Sequence, residues 1–582
     1  MKNRESLTYG THLELFAGAK LIIEEGANLY IEDCAVIDVY EGAEILVKKD
    51  GKIETVHPIL PDGVVRTDPQ FNYIPLEGYW NGIKGEVDST IKLANVSITN
   101  AITGISGAPF NCEISNTIFK NCQTGIDLVN CDNYLIRLNT LQGEGFGSGI
   151  VLTSSNGFIR DNTIESYNNG IEIILGLPIV SDNLIQNNSG YGLHIIGYNA
   201  YPMLTPLSTS KNNDIINNGL GQIFLKYSAS AYLENGRNNI YSEIINGIPA
   251  SPCIVGESHL VSKVDLPSRV DINATNNYWS ASAISIDYFD LYERYVINYR
   301  PYATVAFSDE IMSPIPGNEI SFDERMLSLA VGFEIDGKID QAIKKLEVVV
   351  DNNTDLVDSL QSQEYVLALA KLPDLYVKQE IALEPLVKIF DAKIESDDET
   401  INKKFYKEMK ISTKIKSKKY DEAIALAEEM KLEATSEGEV ILAEIDIAIC
   451  NMMKNAEGKG KSAYNSSTIS NLLAKLTGNE ENGEEKTDIV ESALPSEVNL
   501  YQNYPNPFNP TTEIRFALPT ESDVKLNVYN INGQLVSELV NGSKEAGIYS
   551  VNFNASNFNS GMYFYTLEAN GMSITKKMIL TK

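Results

Sequence analysis

The chain has 582 residues, of which 43% are apolar and 21% charged, a composition typical of globular proteins. Its length predicts several domains, because one domain usually holds about 100–200 residues. The formal net charge of −31 repels phosphate backbones and anionic lipid surfaces, so nucleic acid is excluded as an expected partner.

The N-terminus predicts neither a leader nor a membrane anchor. Residues Met1 to Leu7 have a basic start without a following apolar stretch, so the sequence predicts no signal peptide. It also predicts no transmembrane segment, because it contains no run of about 20 apolar residues.

A short repeat fills the first 300 residues. Gly-Ala pairs at Gly18, Gly26 and Gly42 precede alternating apolar runs, and from Trp80 onward the period is about 22 residues. Two independent anchors mark this period: a Gly followed by Ile or Leu, and an Asn between successive glycines. The glycines are Gly82, Gly104, Gly125, Gly149, Gly170 and Gly192, and the asparagines are Asn95, Asn116, Asn139, Asn162 and Asn183.

This repeat predicts a parallel β-helix over residues 1–310. Each repeat forms a coil of three short strands, and coils stack about 4.8 Å apart through parallel ladders. The recurrent Ile and Leu residues point inward, and the asparagines occupy bends, where Asn tolerates left-handed φ. The period slips between Gly192 and Gly221, where residues from Tyr198 onward predict a loop that extends one coil, and the solenoid is expected to finish near Asn277.

These repeats resemble the right-handed parallel β-helix family that includes the pectate lyases. The resemblance covers roughly residues 10–300. It implies a pectate-lyase-like fold, and it implies polysaccharide lyase or glycoside hydrolase activity only as an alternative to binding, since one fold hosts many functions.

Candidate catalytic residues lie one position beyond the Gly-Ile pairs, on strand faces that point outward. This column contains Asp127, Val151, Glu172 and His194. Glu172 and His194 are expected to be neighbours on adjacent coils, a suitable spacing for general acid and base. The alternative is a chance adjacency of polar side chains on an outward face.

A candidate metal site comes from Asp161 and Asp182, which each precede an anchor Asn. Their stacked carboxylates predict a possible Ca²⁺ site, the only cofactor that the sequence suggests. The motifs of polygalacturonases and pectate lyases are missing. Arg137 and Arg160 occupy equivalent coil positions, but Arg137 lacks an acidic neighbour like Asp161.

Six cysteines are scattered along the chain without metal-ligand spacing. Most are expected to be small buried apolar residues. Cys112, Cys122 and Cys131 are close enough in sequence for one pair to be oxidised in a secreted protein.

Residues 320–456 change to a helical period. Ile339, Ala342, Ile343 and Leu346 follow helical spacing, and residues 421–424 echo residues 340–343. The pairs look like degenerate tetratricopeptide units, with a bundle of about six helices as the alternative. Residues 457–493 are rich in Gly, Asn, Ser, Lys and Glu, and predict a flexible linker.

Residues 494–582 predict a small antiparallel β-sandwich, because alternating strands recur with short turns, one of them at Asn532-Gly533. The segment from Tyr504 to Pro510, with three prolines, is expected to be an extended edge or turn. Together with residues 560–563 and the closing Lys576-Lys577-Met578, these features resemble the type A sorting domain of type IX secretion cargo. The resemblance implies an immunoglobulin-like sandwich and recognition by the type IX translocon.

The sequence as a whole predicts a secreted or cell-surface protein. Its preferred function is a β-helix scaffold that binds a polysaccharide or a surface protein, and the alternative is an extracellular polysaccharide lyase or glycoside hydrolase. The scaffold interpretation expects no enzymatic activity.

Overall fold

The structure is a computed structural model. It describes residues 4–7, 12–32, 36–56, 70–73, 79–204, 212–227, 229–233, 236–242, 244–245, 248–249, 251–257, 270–273, 277, 279, 289–291, 295–298, 321–352, 363–396, 400–457, 466–477, 498–500, 503, 510–518, 520, 522–531, 533–544 and 547–580. The chain divides into two compact units, Met1–Glu481 and Asn482–Lys582.

Short strands in parallel pairs build the first part of the larger unit. In chain order they are β1 (Arg4–Leu7), β2 (His12–Leu15), β3 (Lys20–Ile23), β4 (Asn28–Glu32), β5 (Val36–Val39), β6 (Glu44–Val47), β7 (Lys52–Val56), β8 (Gln70–Tyr73), β9 (Gly82–Gly85), β10 (Thr90–Ala94), β11 (Ser97–Thr99), β12 (Thr103–Gly107), β13 (Asn111–Ser115), β14 (Ile118–Lys120), β15 (Thr124–Val129), β16 (Tyr134–Arg137), β17 (Thr140–Gln142), β18 (Ser148–Thr153), β19 (Phe158–Arg160), β20 (Thr163–Glu165), β21 (Asn169–Ile174), β22 (Ile179–Ser181), β23 (Leu184–Gln186), β24 (Tyr191–Ile196), β25 (Asp214–Ile216), β26 (Gly221–Lys226), β27 (Asn239–Tyr241), β28 (Ile244–Ile245), β29 (Ile248–Pro249), β30 (Ile254–Glu257), β31 (Val270–Asn273), β32 (Phe289–Leu291) and β33 (Tyr295–Asn298).

The coils contribute their strands to three parallel sheets. The first sheet runs from β1 to β22, the second from β2 to β27 and the third from β3 to β32, with 8, 10 and 11 strands among the residues described. Inside the coils, the strand register places similar side chains above one another. Ile105, Ile126 and Ile150 are register partners on successive coils and have no exposed surface. The predicted parallel β-helix is therefore confirmed.

A ladder of buried asparagines runs along one corner of the coils. The Oδ1 atom of Asn162 accepts hydrogen bonds from the backbone and side-chain nitrogens of Asn139, and Asn183 does the same for Asn162. Asn213, Asn238 and Asn277 continue the ladder. These asparagines are structural, as the sequence predicts.

The expected left-handed backbone is only partly where the sequence places it. Asn95 and Asn116 have positive φ, at 56° and 47°. In the next coils the left-handed residue is the one before the anchor, namely Leu138, Asp161 and Asp182. The anchors of these later coils use their side chains in the ladder instead.

Two features of the solenoid adjust the sequence prediction. The asparagine ladder steps 30 residues from Asn183 to Asn213, so the coil is extended as expected. Residues 198–204 are described and Met203 bridges Ile179 within the coils, whereas residues 205–211 lie outside the described part. The predicted end near Asn277 is too early, because β32 pairs in parallel with β30.

Eight helices follow among the described residues. They are α1 (Phe322–Ile335), α2 (Ile339–Asn352), α3 (Gln363–Lys378), α4 (Glu384–Ser396), α5 (Thr400–Lys416), α6 (Tyr420–Leu432), α7 (Glu437–Ala456) and α8 (Ser466–Thr477). Helix α8 occupies part of the stretch for which composition predicts a flexible linker. Its Ile469, Leu473 and Leu476 are buried at helical spacing, which explains why this part is ordered.

The helices pack directly on the β-helix, so both belong to one compact unit. Residues of α1–α5 share an apolar cluster with Leu177, Ile179 and Tyr201 of the coils. Residues of α5–α8 share another with Val151, Ile174 and Ile196 of the third sheet. The second sheet contributes no residue to either cluster among the residues described.

The smaller unit contains two antiparallel sheets around one apolar core. Its strands are β34 (Asn499–Leu500), β35 (Thr511–Leu518), β36 (Ser522–Asn530), β37 (Leu535–Lys544), β38 (Gly547–Asn554), β39 (Gly561–Ala569) and β40 (Met572–Leu580). Sheet orders are β34-β35-β38 and β37-β36-β39-β40, and Phe516 and Tyr565 bring the two sheets into one cluster. Gly533, in the turn after β36, has a φ of 74°. Residues 504–509 of the proline-rich segment lie outside the described residues.

Candidate functional site

A single column of side chains follows the outer face of the third sheet. Register pairs Asp127 with Val151, Val151 with Glu172, Glu172 with His194, and His194 with Phe224. Since neighbouring strands lie about 4.8 Å apart, Glu172 and His194 are direct neighbours. Asp127 and Glu172 are about 10 Å apart across Val151 by the same spacing.

Glu172 and His194 contact each other, as the sequence predicts. Nδ1 of His194 lies 3.3 Å from Oε1 of Glu172, and the side-chain amide of Asn169 donates to the same oxygen at 2.5 Å. The imidazole stacks on Phe224 with ring centroids 5.0 Å apart. The ring of Tyr191 contacts both His194 and Phe224. Glu172 and His194 therefore contact each other beside the aromatic rings of Tyr191 and Phe224.

The expectation that this column faces solvent is wrong for its downstream part. Glu172 and His194 are each 3% exposed, and no described residue hydrogen-bonds to the buried Nε2 of His194. The neighbouring Val151 and Ile174 belong to the apolar cluster that Leu442 of α7 completes. Helices thus cover the part of this face that holds Ile174 and Ile196, and Glu172 and His194 are themselves buried among the described residues. Acid and base roles for Glu172 and His194 stay a prediction.

Asp127 is the carboxylate at the edge of the covered region. Its Oδ1 is buried with no hydrogen-bond partner among the described residues. Burial, with a smaller contribution from the charge of Glu172, raises the pKa of Asp127 to about 6, while Lys84 opposes the shift. Asp127 therefore titrates near neutral pH.

Asp161 and Asp182 occupy equivalent turns of adjacent coils. Both have a φ of 57°, and the backbone nitrogen of Asp161 donates to Ser181 one coil away. Asp161 is exposed, and its Oδ2 lies 3.7 Å from Nε of Arg160. The described residues contain no group of three or more His, Cys, Asp or Glu that is suited to a metal ion. A Ca²⁺ site at Asp161 and Asp182 stays a prediction.

The two arginines of the same region are register partners. Arg137 pairs with Arg160 in the first sheet, which confirms their equivalent coil positions. Cys112, Cys122, Cys131, Cys253 and Cys450 are buried free thiols, as expected for small apolar side chains.

A buried ionic contact joins the helices to the β-helix. Lys416 of α5 forms ion pairs with Asp132 of the coils and with Asp374 of α3, the latter at 2.5 Å. The side-chain amide of Asn156 donates to both carboxylates, at 3.1 and 3.0 Å. Burial alone lowers the pKa of Lys416, but the two carboxylates raise it above its usual value. Lys416 therefore stays charged inside the interface.

Two further acids lie in a pocket of this interface. Glu408 of α5 and Asp446 of α7 are 2% and 3% exposed, and their carboxyl groups hydrogen-bond to each other. Burial raises the pKa of both carboxyls, and their mutual charge adds to the shift of Glu408. Asn199 of the coils lines the same pocket, and its buried Oδ1 has no hydrogen-bond partner within the described ranges.

These interface residues are not predicted by the sequence patterns described above. One available signal was the apolar content of outward strand positions such as Ile174 and Ile196, since strands buried on both faces have near-continuous apolar runs. Another was Asp446, which lies between Ile445 and Ile447 in a helix with apolar residues on most sides.

The described residues leave the outer face of the second sheet uncovered. One of its columns contains Ile118, Thr140, Thr163 and Leu184, which are half-buried or exposed. The adjacent column consists of Thr99, Lys120, Gln142, Glu165 and Gln186. Hydroxyl and amide groups thus repeat at the spacing of the coils across an accessible surface.

Comparison with known families identifies two segments. Residues 70–206 match the family model described as a right handed beta helix region. Residues 502–581 match the secretion system C-terminal sorting domain. A search of curated proteins found no match. Within the described residues, no helix is long and apolar enough to span a membrane.

Proposed function

We propose that the protein is an extracellular scaffold that binds neutral polysaccharide. The chain carries a sorting domain, which implies export by type IX secretion to the surface or the medium. The observation that carries this proposal is the open second sheet, whose columns repeat hydroxyl and amide side chains such as Thr140 and Gln142. Such groups offer both donors and acceptors to sugar hydroxyls.

Charge favours a neutral polysaccharide over an acidic one. The chain has a net charge of −31, so a polyanion such as a polyuronate is repelled at low salt. The second-sheet columns include acidic Glu165 and Asp214 as well as Lys120, and so form no basic path for a polyanion. A surface protein is the alternative ligand for the same face.

The other parts of the molecule have supporting roles in this proposal. The helical block serves as an adaptor of tetratricopeptide-like hairpins, a role supported by the packing of α1 on α2 and of α6 on α7. The C-terminal unit is an immunoglobulin-like sandwich that the type IX translocon recognises, a role supported by its shared core and by the sorting-domain match.

Affinity electrophoresis of the purified protein in neutral and acidic polysaccharides tests the proposal. We expect retardation in at least one neutral polysaccharide. Thr140→Ala combined with Gln142→Ala is expected to weaken that binding about thirtyfold, because each lost hydrogen bond contributes about 1 kcal/mol. The matched control is Lys92→Ala with Glu113→Ala, an ion pair on the first sheet at 2.8 Å.

Two results would overturn the proposal. Equal loss of binding in the control pair would show that the second sheet is not the binding face. Release of soluble products by the wild-type protein, abolished in Glu172→Gln, would favour a polysaccharide lyase or glycoside hydrolase that uses Glu172 and His194.

A further inference from the structure

The pocket between the helices and the β-helix collects buried oxygen atoms. Glu408 and Ser412 of α5, Asp446 of α7 and Asn199 of the coils all line it. Asn199 is 5% exposed. Carboxylate, amide and hydroxyl oxygens are the ligands that hard divalent cations prefer.

Two of these oxygens have no protein partner. Oδ1 of Asn199 and Oδ2 of Asp446 are both buried, and neither has a hydrogen-bond partner in the described part of the chain. A buried polar atom without a partner costs about 1–3 kcal/mol, more for a charged group, so a native structure usually satisfies it with a ligand or water. The two residues belong to different structural elements and line the same pocket.

The charge of the interface is also unbalanced. Asp132, Asp374, Glu408 and Asp446 are acidic, while Lys416 contacts only the first two of them. Lys404, which lines a neighbouring pocket together with Glu408, pairs with Glu439 instead. Buried carboxylates need a compensating positive charge or a proton.

We propose that this pocket binds a divalent cation, Ca²⁺ in preference to Mg²⁺, through the carboxylates of Glu408 and Asp446 and Oδ1 of Asn199. The hydroxyl of Ser412 and water complete the shell. Ca²⁺ suits ligands from three separate elements because it accepts irregular geometry and 6–8 oxygens, whereas Mg²⁺ demands a near-ideal octahedron. The ion joins α5 and α7 to the coil that contains Asn199, and thereby fastens the helices to the third sheet.

Isothermal titration calorimetry and thermal unfolding of the full chain, stripped with a chelator and titrated with CaCl₂ or MgCl₂, test the site. We expect one Ca²⁺ per chain with a Kd of about 0.1–1 mM, the range of extracellular calcium modules. Saturating Ca²⁺ should raise the Tm by several degrees, since a ligand that binds only the folded state stabilises it. Mg²⁺ should give a smaller shift.

Glu408→Gln combined with Asp446→Asn is the diagnostic variant. These isosteric amides keep the packing and remove the buried charge, so the variant should fold without Ca²⁺ and lose the Ca²⁺-dependent shift. The matched control is Asp161→Asn with Asp182→Asn, which removes the two carboxylates of the surface turns and should leave the shift unchanged.

Two outcomes of these measurements would overturn the proposal. Loss of the shift in the Asp161/Asp182 control alone would place calcium on the surface turns. Absence of calorimetric binding to the wild-type chain would mean that Glu408 and Asp446 share a proton instead. Asn199→Ala provides a second check, since it removes a ligand without changing charge and should weaken Ca²⁺ binding at least severalfold.

Discussion

The outer faces of the second and third sheets have the same backbone arrangement but different surroundings. Both present parallel columns with one side chain per coil. The third-sheet positions hold Val151, Ile174 and Ile196, whereas the equivalent part of the second sheet holds Thr140 and Gln142. The helices cover the apolar face and leave the polar one open.

This difference shows that the β-helix fixes the spacing of side chains but not their accessibility. Glu172 and His194 are adjacent because the coils place them so, yet they are buried because their neighbours are apolar. A functional site on such a fold therefore depends on which face remains uncovered. The same reasoning supports our proposal that the second sheet is the binding surface.

The difference between the two faces is tested most strongly by placing a charged side chain on each of them. Ile196→Lys puts an ammonium group into the helix–sheet contact, where Ile196 has no exposed surface, and should lower the free energy of unfolding by about 3–5 kcal/mol. Thr163→Lys on the open second sheet should change it by less than about 0.5 kcal/mol. Urea denaturation followed by circular dichroism measures both. Similar losses would show that the second sheet is also covered.

Substitutions of Glu172 and His194 test the contact between two polar side chains within the covered face. Glu172→Leu or His194→Phe alone leaves the other group buried without its partner and should cost about 1–3 kcal/mol. The double variant should recover part of this loss, because Phe at position 194 still stacks on Phe224, but the buried amide of Asn169 stays without its acceptor. Denaturation of all three variants gives the coupling energy. Strictly additive losses would contradict a contact between the two side chains.

The sequence was sufficient for the coils because their period is local. Gly anchors and inward Ile residues repeat about every 22 residues, so register and the adjacency of Glu172 to His194 could be predicted. The strands of the C-terminal unit followed equally from alternation, as in residues 524–529 within β36.

What the sequence could not supply were contacts between distant segments. Lys416 meets Asp132 across 284 residues, and no local pattern connects them. Leu442 of α7 shares an apolar cluster with Val151 and Ile174 of the third sheet, although it lies far along the chain and in a different kind of element. The packing of helices on the third sheet depends on tertiary contacts, which the apolar outward residues of that sheet and Asp446 of α7 indicate only indirectly.

Asp127 offers the mildest test, at the boundary between covered and open surface. Its pKa in the folded state is raised from 3.8 to about 6, so the folded protein binds a proton more tightly than the unfolded chain. Stability from this group is therefore fully present below about pH 4 and is lost as the pH rises through 6. Asp127→Asn, which stays neutral, should be more stable than the wild type by about 1 kcal/mol at pH 8 and nearly equal to it at pH 4. Comparison of the two proteins at each pH cancels the titration of Glu408 and Asp446, which both retain. A difference that does not vary with pH would show that solvent reaches Asp127 freely and that the helical cover ends before its coil.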